Sequence, residues 1–197
     1  MSRTILLLIG LCCGALSVYS ADIVPKPLKI RETRALYALQ EGMTISYNSK
    51  SIQPAAEYLK EILEPATGYN FRLSKKKGDI SLILISDKDQ KDESYTLSIT
   101  VEGITIQSRS YKGIIHGISS LRQVMPEEIE SRTLVKGIKW YIPTLYVEDN
   151  PQYEWRGLML DPVRHFYTIE ETKRLIDVMA LFKFSKFHWH LIDSQGW

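Results

Sequence analysis

The sequence has 197 residues, of which 44% are hydrophobic and 24% are charged, a composition typical of globular proteins with one or two domains. The formal net charge of +2 is too small to indicate a nucleic-acid-binding protein, and the longest basic run covers only residues 75–77. We therefore expect no nucleic-acid partner.

The first twenty residues have the pattern of a signal peptide. Arg3 supplies a positive start, residues 5–16 form an apolar core, and residues 18–20 form a small-residue cleavage site before Ala21. The apolar stretch is too short for a transmembrane helix. We expect a signal peptide at residues 1–20 and export to the periplasm or the extracellular space.

Both cysteines of the sequence, Cys12 and Cys13, lie inside this apolar core. Cleavage after Ser20 would therefore leave a chain without disulfide or thiol chemistry. Attachment of a lipid to one cysteine is the alternative. It is not favoured, because neither Leu11 nor Cys12 is the small residue that a lipoprotein signal places before the modified cysteine.

Residues 22–150 alternate between predicted strands and two amphipathic helices. We predict one helix from Ser51, ended by Pro65 and Gly68, and a second helix over residues 111–125. The turn at Glu102-Gly103 predicts a hairpin. The predicted strands cover residues 43–47, 80–85, 95–100, 104–107 and 142–147. This order predicts an α+β domain, a sheet with two helices, over residues 22–150.

Residues 151–197 form a different unit, which has the pattern strand, helix, strand. The apolar run 158–160 predicts a buried strand, and Thr168 with Glu171 forms a capping box before a helix. Residues 187–192 predict a second strand. A connection of this length requires a right-handed crossover, so we expect the two strands to be parallel neighbours.

Polar side chains follow both predicted strands of this unit. Parallel α/β folds place their chemistry at the carboxyl ends of strands. We therefore expect a functional site here, starting from Asp161, Arg164 and His165 after the first strand, and Asp193, Ser194 and Gln195 after the second.

The same stretch resembles a known family. The pattern RGLMLD-x-x-RHF, followed after about twenty residues by FHWHL-x-D-x-QGW, resembles the opening of the catalytic (β/α)8 TIM barrel of glycoside hydrolase family 20, the β-N-acetylhexosaminidases. The match runs without a gap from Arg156 to Trp197, with departures at Pro162 and Ser194. The segment GITIQSRSYKGIIHGISSLRQVMP resembles the small domain that precedes this barrel.

The resemblance implies roles for individual residues. Arg164 would bind the C3 and C4 hydroxyls of a terminal N-acetylhexosamine, and its fork of donors suits adjacent hydroxyls. Asp193 would belong to the network that holds the general acid. For these residues, a salt bridge from Arg164 to Asp161 or Asp193 and a loop cap by Asp193 are the structural alternatives. We assign supporting positions to Asp161, His165 and His190.

The pair His188 and His190 also matches the start of a zinc site in barrel amidohydrolases. The absence of a second ligand cluster in the sequence argues against this alternative, and so does a complete strand–helix unit before the pair. The resemblance implies that neither a metal nor an organic cofactor is needed, because the substrate's own 2-acetamido group attacks the anomeric carbon.

In the family an Asp-Glu pair on a later barrel strand orients the acetamido group and protonates the leaving oxygen. The Asp-Glu step of this sequence, Asp92-Glu93, lies in a lysine-rich loop of the first domain. We therefore expect the catalytic pair to lie beyond residue 197, and the barrel to be incomplete in this sequence. The predicted function is exo-hydrolysis of glycans that end in N-acetylglucosamine or N-acetylgalactosamine. The alternative is a non-catalytic carbohydrate-binding or interaction module.

Overall fold

The computed structural model describes residues 22–86, 89 and 91–193. The predicted signal peptide at residues 1–20 lies outside the described residues, and so do the candidate residues Ser194 and Gln195. Within the described chain, a seven-stranded sheet with two long helices is followed by a strand–helix–strand unit. The sequence predicts this order of the two units and five of the seven strands, but not the strands Lys29–Ala38 and Arg72–Ser74.

The sheet of the first domain is mixed. Its strands, in chain order, are β1 Lys29–Ala38, β2 Thr44–Tyr47, β3 Arg72–Ser74, β4 Ile80–Leu84, β5 Tyr95–Ile99, β6 Ile104–Ser108 and β7 Tyr141–Asp149. They lie in the order β1-β7-β5-β6-β4-β2-β3. The pairs β2–β3, β2–β4 and β4–β6 are parallel, while β1–β7, β5–β7 and the predicted hairpin β5–β6 are antiparallel.

Two helices, α1 Gln53–Thr67 and α2 Tyr111–Gln123, cover this sheet. Alternation along β5 shows the covered face, because Tyr95, Leu97 and Ile99 are buried while the intervening residues are partly exposed. The strands and both helices share one apolar core, whose fully enclosed members include Ile45, Leu59, Leu63, Ile80, Leu97, Ile106, Ile114, Ile118 and Leu121.

The predicted ends of α1 are wrong on two points. Ser51 does not cap this helix, because a 3-10 turn over Lys50–Ile52 precedes it and Ser49 accepts the hydrogen bond from the Ser51 N–H. Pro65 lies inside the helix and does not end it. The last turn is completed by Thr67 Oγ1, which donates to Leu63 O, and by the N–H of Gly68, which adopts a φ of 69°.

The second unit consists of β8 Gly157–Leu160, α3 Ile169–Leu181 and β9 Lys186–Trp189, and we call it the barrel unit. β8 and β9 are parallel, which confirms the predicted pairing. The capping box is also confirmed, since Thr168 Oγ1 accepts from the Glu171 N–H and Glu171 Oε2 accepts from the Thr168 N–H. The second strand is shorter than predicted and ends at Trp189.

The barrel unit packs on the first domain through α3 and α2. Ser119 Oγ of α2 donates to Ala180 O at 2.8 Å, and Gln123 Nε2 donates to Leu181 O at 2.8 Å. Side chains of the first domain thus donate to carbonyl groups in the last turn of α3, where Ala180 O also accepts from the N–H of Lys183. Among the described residues, no helix has the length and apolar character needed to cross a membrane.

Candidate functional site

The parallel pairing of β8 and β9 brings their carboxyl ends to one edge of the unit. Leu160 and Trp189 are register partners, and the N–H of His190 donates to Leu160 O at 3.0 Å. The residues that follow the strands are therefore neighbours, although about thirty positions separate them in the sequence. Asp161 and Asp193 both lie at this edge.

Asp161 holds the turn that carries Arg164. Its Oδ1 accepts hydrogen bonds from the N–H of Val163 at 3.1 Å and from the N–H of Arg164 at 3.3 Å. An aspartate that accepts from the two and three residues ahead forms a compact turn, because its side chain replaces a backbone acceptor. The backbone of Arg164 is thereby fixed relative to the end of β8.

The guanidinium of Arg164 is directed toward β9, where Nη2 donates to Oδ2 of Asp193. The structure therefore shows the ion pair that the sequence left as an alternative role for Arg164. The side chain of Arg164 stays 60% exposed in this pair, and that of Asp193 is 28% exposed. Donors of the guanidinium remain open to solvent, so the pair can bind a polar ligand without being dismantled.

The histidines near this edge have different surroundings. His190 joins the cluster, since its Nδ1 lies 3.4 Å from Asp161 Oδ1. The ring of His188 lies 6.1 Å from that of His190, and the side chain of His188 is exposed. His165 lies edge-on to Tyr167, with 5.0 Å between the ring centroids. The structure thus joins Asp161, Arg164, His190 and Asp193 in one cluster, while the ring contact of His165 is to Tyr167.

The zinc alternative requires several ligands that converge on one point. Within the part of the chain that the structure describes, no group of three or more His, Cys, Asp or Glu side chains could hold a metal ion.

A second polar cluster lies between the two units and was not predicted. Arg156 donates to Glu93 and approaches His116, while Lys183 pairs with Asp149 at 3.3 Å. Burial lowers the pKa of Lys183, and the charge of Asp149 opposes this shift. A lysine inside the apolar run 181–184 is the sequence signal that could have revealed this cluster, because buried lysines need a partner.

The residues of the barrel unit also match a family model. Residues 153–197 match the catalytic domain of glycosyl hydrolase family 20, and residues 20–150 match domain 2 of the same family. The chain belongs to glycoside hydrolase family 20. The predicted resemblance is therefore confirmed, and so is the predicted fold class, a domain of the family followed by the start of its catalytic barrel.

Curated family 20 proteins align with this sequence over most of its length. A β-hexosaminidase of Porphyromonas gingivalis is 30% identical over 180 residues, covering 89% of this chain and 23% of the relative. A β-hexosaminidase of Vibrio furnissii is 31% identical over 176 residues, covering 89% of this chain and 27% of the relative. The chain thus spans about a quarter of the length of these relatives.

Solved family 20 structures share the fold. The N-acetyl-β-hexosaminidase of Streptomyces plicatus in complex with Thio-NAglucal superposes with a TM-score of 0.82 at 36% identity, covering 89% of this chain and 35% of that one. The exo-β-N-acetylglucosaminidase of Vibrio harveyi in complex with N-acetylglucosamine gives 0.76 at 28% identity, covering 89% and 26%. The contact of Arg164 and Asp193 with a sugar stays a prediction.

Proposed function

We propose that this chain contributes the opening of the catalytic barrel of a β-N-acetylhexosaminidase. This enzyme would release terminal N-acetylglucosamine or N-acetylgalactosamine from glycans. The observation that carries the proposal is the exposed pair of Arg164 and Asp193 at the ends of two adjacent parallel strands of a family 20 barrel. Membership of the family supports the reaction class, and the pair supports the substrate class.

The geometry supports a division of roles between the two residues. Arg164 presents donors to solvent, and a guanidinium can bond two neighbouring sugar hydroxyls at once. Asp193 neutralises and orients that guanidinium before substrate arrives, so less rotamer freedom is lost on binding. Asp161 fixes the backbone of Arg164, and His190 lies against Asp161. In the proposed reaction these residues bind and orient the terminal sugar.

The chemical step that we propose is assisted by the substrate. The 2-acetamido oxygen attacks the anomeric carbon while a carboxylic acid protonates the leaving oxygen, and water then opens the cyclised intermediate with retention of configuration. This scheme uses no metal and no organic cofactor. Within the described residues, the Asp-Glu step that includes Glu93 lies at the interface between the two units and not at the strand ends, so it does not supply the acid.

The direct test is turnover of an aryl N-acetyl-β-glucosaminide by protein expressed from the complete reading frame of the gene. We expect retaining hydrolysis and inhibition by a thiazoline that mimics the cyclised intermediate. Arg164→Ala should raise KM by on the order of tenfold to a hundredfold, because charged hydrogen bonds contribute about 1.5–3 kcal/mol. Its kcat should change much less if Arg164 binds ground state and transition state equally.

Arg174→Ala is the matched control, since this exposed arginine lies on α3 of the same unit. It should leave KM unchanged. A folded protein that neither turns over the aryl glycoside nor binds the thiazoline would overturn the proposal. Equal effects of the two arginine substitutions would overturn the role of Arg164.

Calorimetry on the 197-residue chain separates this proposal from the alternative of a carbohydrate-binding module. Arg164 and Asp193 supply only part of a sugar pocket, so we expect N-acetylglucosamine to bind no more tightly than about millimolar, roughly 4 kcal/mol. Micromolar binding would favour the module. We also propose that residues 1–20 direct export, which predicts a mature N-terminus at Ala21 in secreted or periplasmic protein.

A further inference from the structure

The contact between the first domain and the barrel unit contains hydrogen bonds and ion pairs. Among the described residues of the barrel unit, the buried side chains are Thr172, Met179 and Lys183, and Met179 is the apolar one. Because only one apolar side chain of the barrel unit is fully buried among the described residues, hydrogen bonds and ion pairs are needed to orient the unit on the first domain. Within the described residues three ion pairs join the units: Arg156 and Lys183 of the barrel unit pair with Glu93 and Asp149, and the more exposed Asp177 of α3 pairs with Arg132 at 3.3 Å.

Lys183 enters the first domain from the turn after α3. It is 3% exposed, its Nζ lies 3.3 Å from Asp149 Oδ2, and the same Nζ lies 5.3 Å from the centroid of the Tyr95 ring. The hydroxyl of Tyr95 also donates to Asp149 Oδ2, at 3.0 Å. A buried ammonium group is tolerated when it is paired and solvated by protein dipoles in this way.

Arg156 forms the second charged contact, at the entrance to β8. Its Nη2 donates to Glu93 Oε2, and the same nitrogen lies 3.3 Å from Nε2 of His116. Its Nε donates to Lys183 O at 2.7 Å, which connects the two charged contacts. Nε2 of His116 thus lies between the Arg156 guanidinium and the Glu93 carboxylate, since Glu93 Oε2 is 3.6 Å from the same ring nitrogen.

Burial favours the neutral form of the His116 ring, because it lowers the pKa of this residue. His116 is 6% exposed, and within the described structure its Nδ1 has no hydrogen-bond partner. Phe184 and Ser185 of the barrel unit line the cavity of about 220 Å³ beside it. The charged and titratable groups around the ring are Glu93 from the segment before β5, Arg156 before β8, Lys183 after α3, Lys186 of β9, and Tyr111 and Lys112 of α2 itself.

We propose that the contact between the two units depends on pH. At neutral pH, Glu93, His116 and Asp149 bind Arg156 and Lys183, and acidification releases the barrel unit from the first domain. Protonation of His116 would place a second positive charge beside the Arg156 guanidinium, which lies 3.3 Å from Nε2, and Glu93, at 3.6 Å, would have to serve both cations. A proton on Glu93 would remove the acceptor charge that holds Arg156. Both events weaken the same contact, and both are driven by acid.

The direction of the effect follows from proton linkage. Burial lowers the pKa of His116 to about 4 from its ordinary value of 6.5, with the charges of Arg156 and Lys183 adding to the shift and that of Glu93 opposing it. Burial alone would raise the pKa of Glu93, but hydrogen bonds and charge from Arg156 and His116 outweigh it, so that pKa is lowered. The contribution of neutral His116 to the stability of the docked state is therefore complete above pH 6.5 and is lost as the pH falls toward 4.

The size of the effect is measured by hydrogen exchange on the whole chain. Between pH 7 and pH 5, after correction for intrinsic exchange rates, the protection factors of Leu158–Leu160 should fall on the order of tenfold. Those of Ile104–Ser108 in the first domain should not fall.

Two variants assign the effect to one residue. His116→Gln keeps a neutral polar side chain that does not titrate, so the fall in protection between pH 7 and pH 5 should disappear. His188→Gln is the control, since His188 is exposed on β9, and it should keep the fall. The proposal is overturned if protection of β8 is independent of pH in the natural sequence, or if the slope persists in His116→Gln.

An NMR titration decides the case in which His116→Gln fails to fold, which lost protection in β6 would reveal. The Cε1–H resonance of His116 in the natural sequence should titrate near pH 4, together with the loss of protection in β8. In Arg156→Met the midpoint of the His116 titration should move toward pH 6.5, because the positive charge of Arg156 is removed. A midpoint near 6.5 in the natural sequence, with the barrel unit still docked, would overturn the proposal.

Discussion

At the scale of single residues, Lys183 affects both the backbone turn after α3 and the contact between the two units. It adopts a φ of 59°, a left-handed conformation that costs a non-glycine residue roughly 1–2 kcal/mol. This conformation turns the chain after α3 so that the ammonium group reaches Asp149. The packing around the turn therefore compensates for a strained backbone, and the ion pair with Asp149 is part of that compensation.

We predict that Lys183→Met destabilises the docking of the barrel unit by about 3 kcal/mol, because it leaves Asp149 buried without its cation. The measurement is the protection of β8 against hydrogen exchange at pH 7. Lys173→Met is the control, since Lys173 pairs with Glu170 on the exposed face of α3 and should change protection little. Equal effects of the two substitutions would show that the buried pair stabilises docking no more than the exposed pair does.

The same residue explains why the sequence revealed only part of the functional chemistry. Arg164, Asp161 and Asp193 were found because they follow apolar runs at strand ends, which is a local pattern. The partners of Lys183 and Arg156 lie 34 and 63 positions away, and no local pattern indicates such contacts. The side chain of Arg156 connects the two units through Glu93 and Lys183 O.

At the scale of elements, α3 depends on its first turn. Thr168 and Glu171 exchange hydrogen bonds through the capping box, with Glu171 Oε2 also accepting from Thr168 Oγ1 at 2.9 Å. We predict that Thr168→Ala destabilises α3 by about 1 kcal/mol, the usual contribution of a threonine cap. The check is hydrogen exchange of the α3 amides. Thr168→Ser should restore protection, and a serine variant as weak as alanine would contradict the capping role.

Helices and strands were predicted correctly where the hydrophobic period and the turn or cap residues at the ends indicated the same element. The hairpin β5–β6, helix α2 and the pair β8–β9 all combine a clear hydrophobic period with turn or cap residues. β1 was not predicted, because most of its residues are exposed and its pairing with β7 joins positions more than a hundred apart. β3 has three residues, too few to show any period.

At the scale of the whole molecule, the order of the two units could be read from the sequence, but the way they join could not. Each unit has its own hydrophobic period, so each was found separately. Their contact includes side-chain hydrogen bonds to helix-end carbonyls and three ion pairs among the described residues, and such contacts leave no period in a sequence. The contact became visible only when the folded elements placed Glu93 beside Arg156.

The barrel unit also determines how the whole chain should behave in solution. Met159, Trp189, Leu191 and Ile192 are between 42% and 70% exposed, and within the described residues β9 pairs only with β8. Exposed apolar side chains beside an open strand edge favour pairing between chains. We predict that the 197-residue chain self-associates at micromolar concentrations, measured by size-exclusion chromatography with light scattering.

Trp189→Lys should shift this equilibrium toward monomer, because it places a charge beside the open edge of β9 and removes the large apolar ring. Val101→Lys is the control, since Val101 is 61% exposed but lies in the hairpin turn of the first domain, and it should leave association unchanged. Unchanged protection of β8 would show that Trp189→Lys leaves the barrel unit folded. A natural chain that stays monomeric would contradict the predicted self-association. A Val101→Lys variant that dissociates to the same extent would place the associating surface elsewhere than on β9.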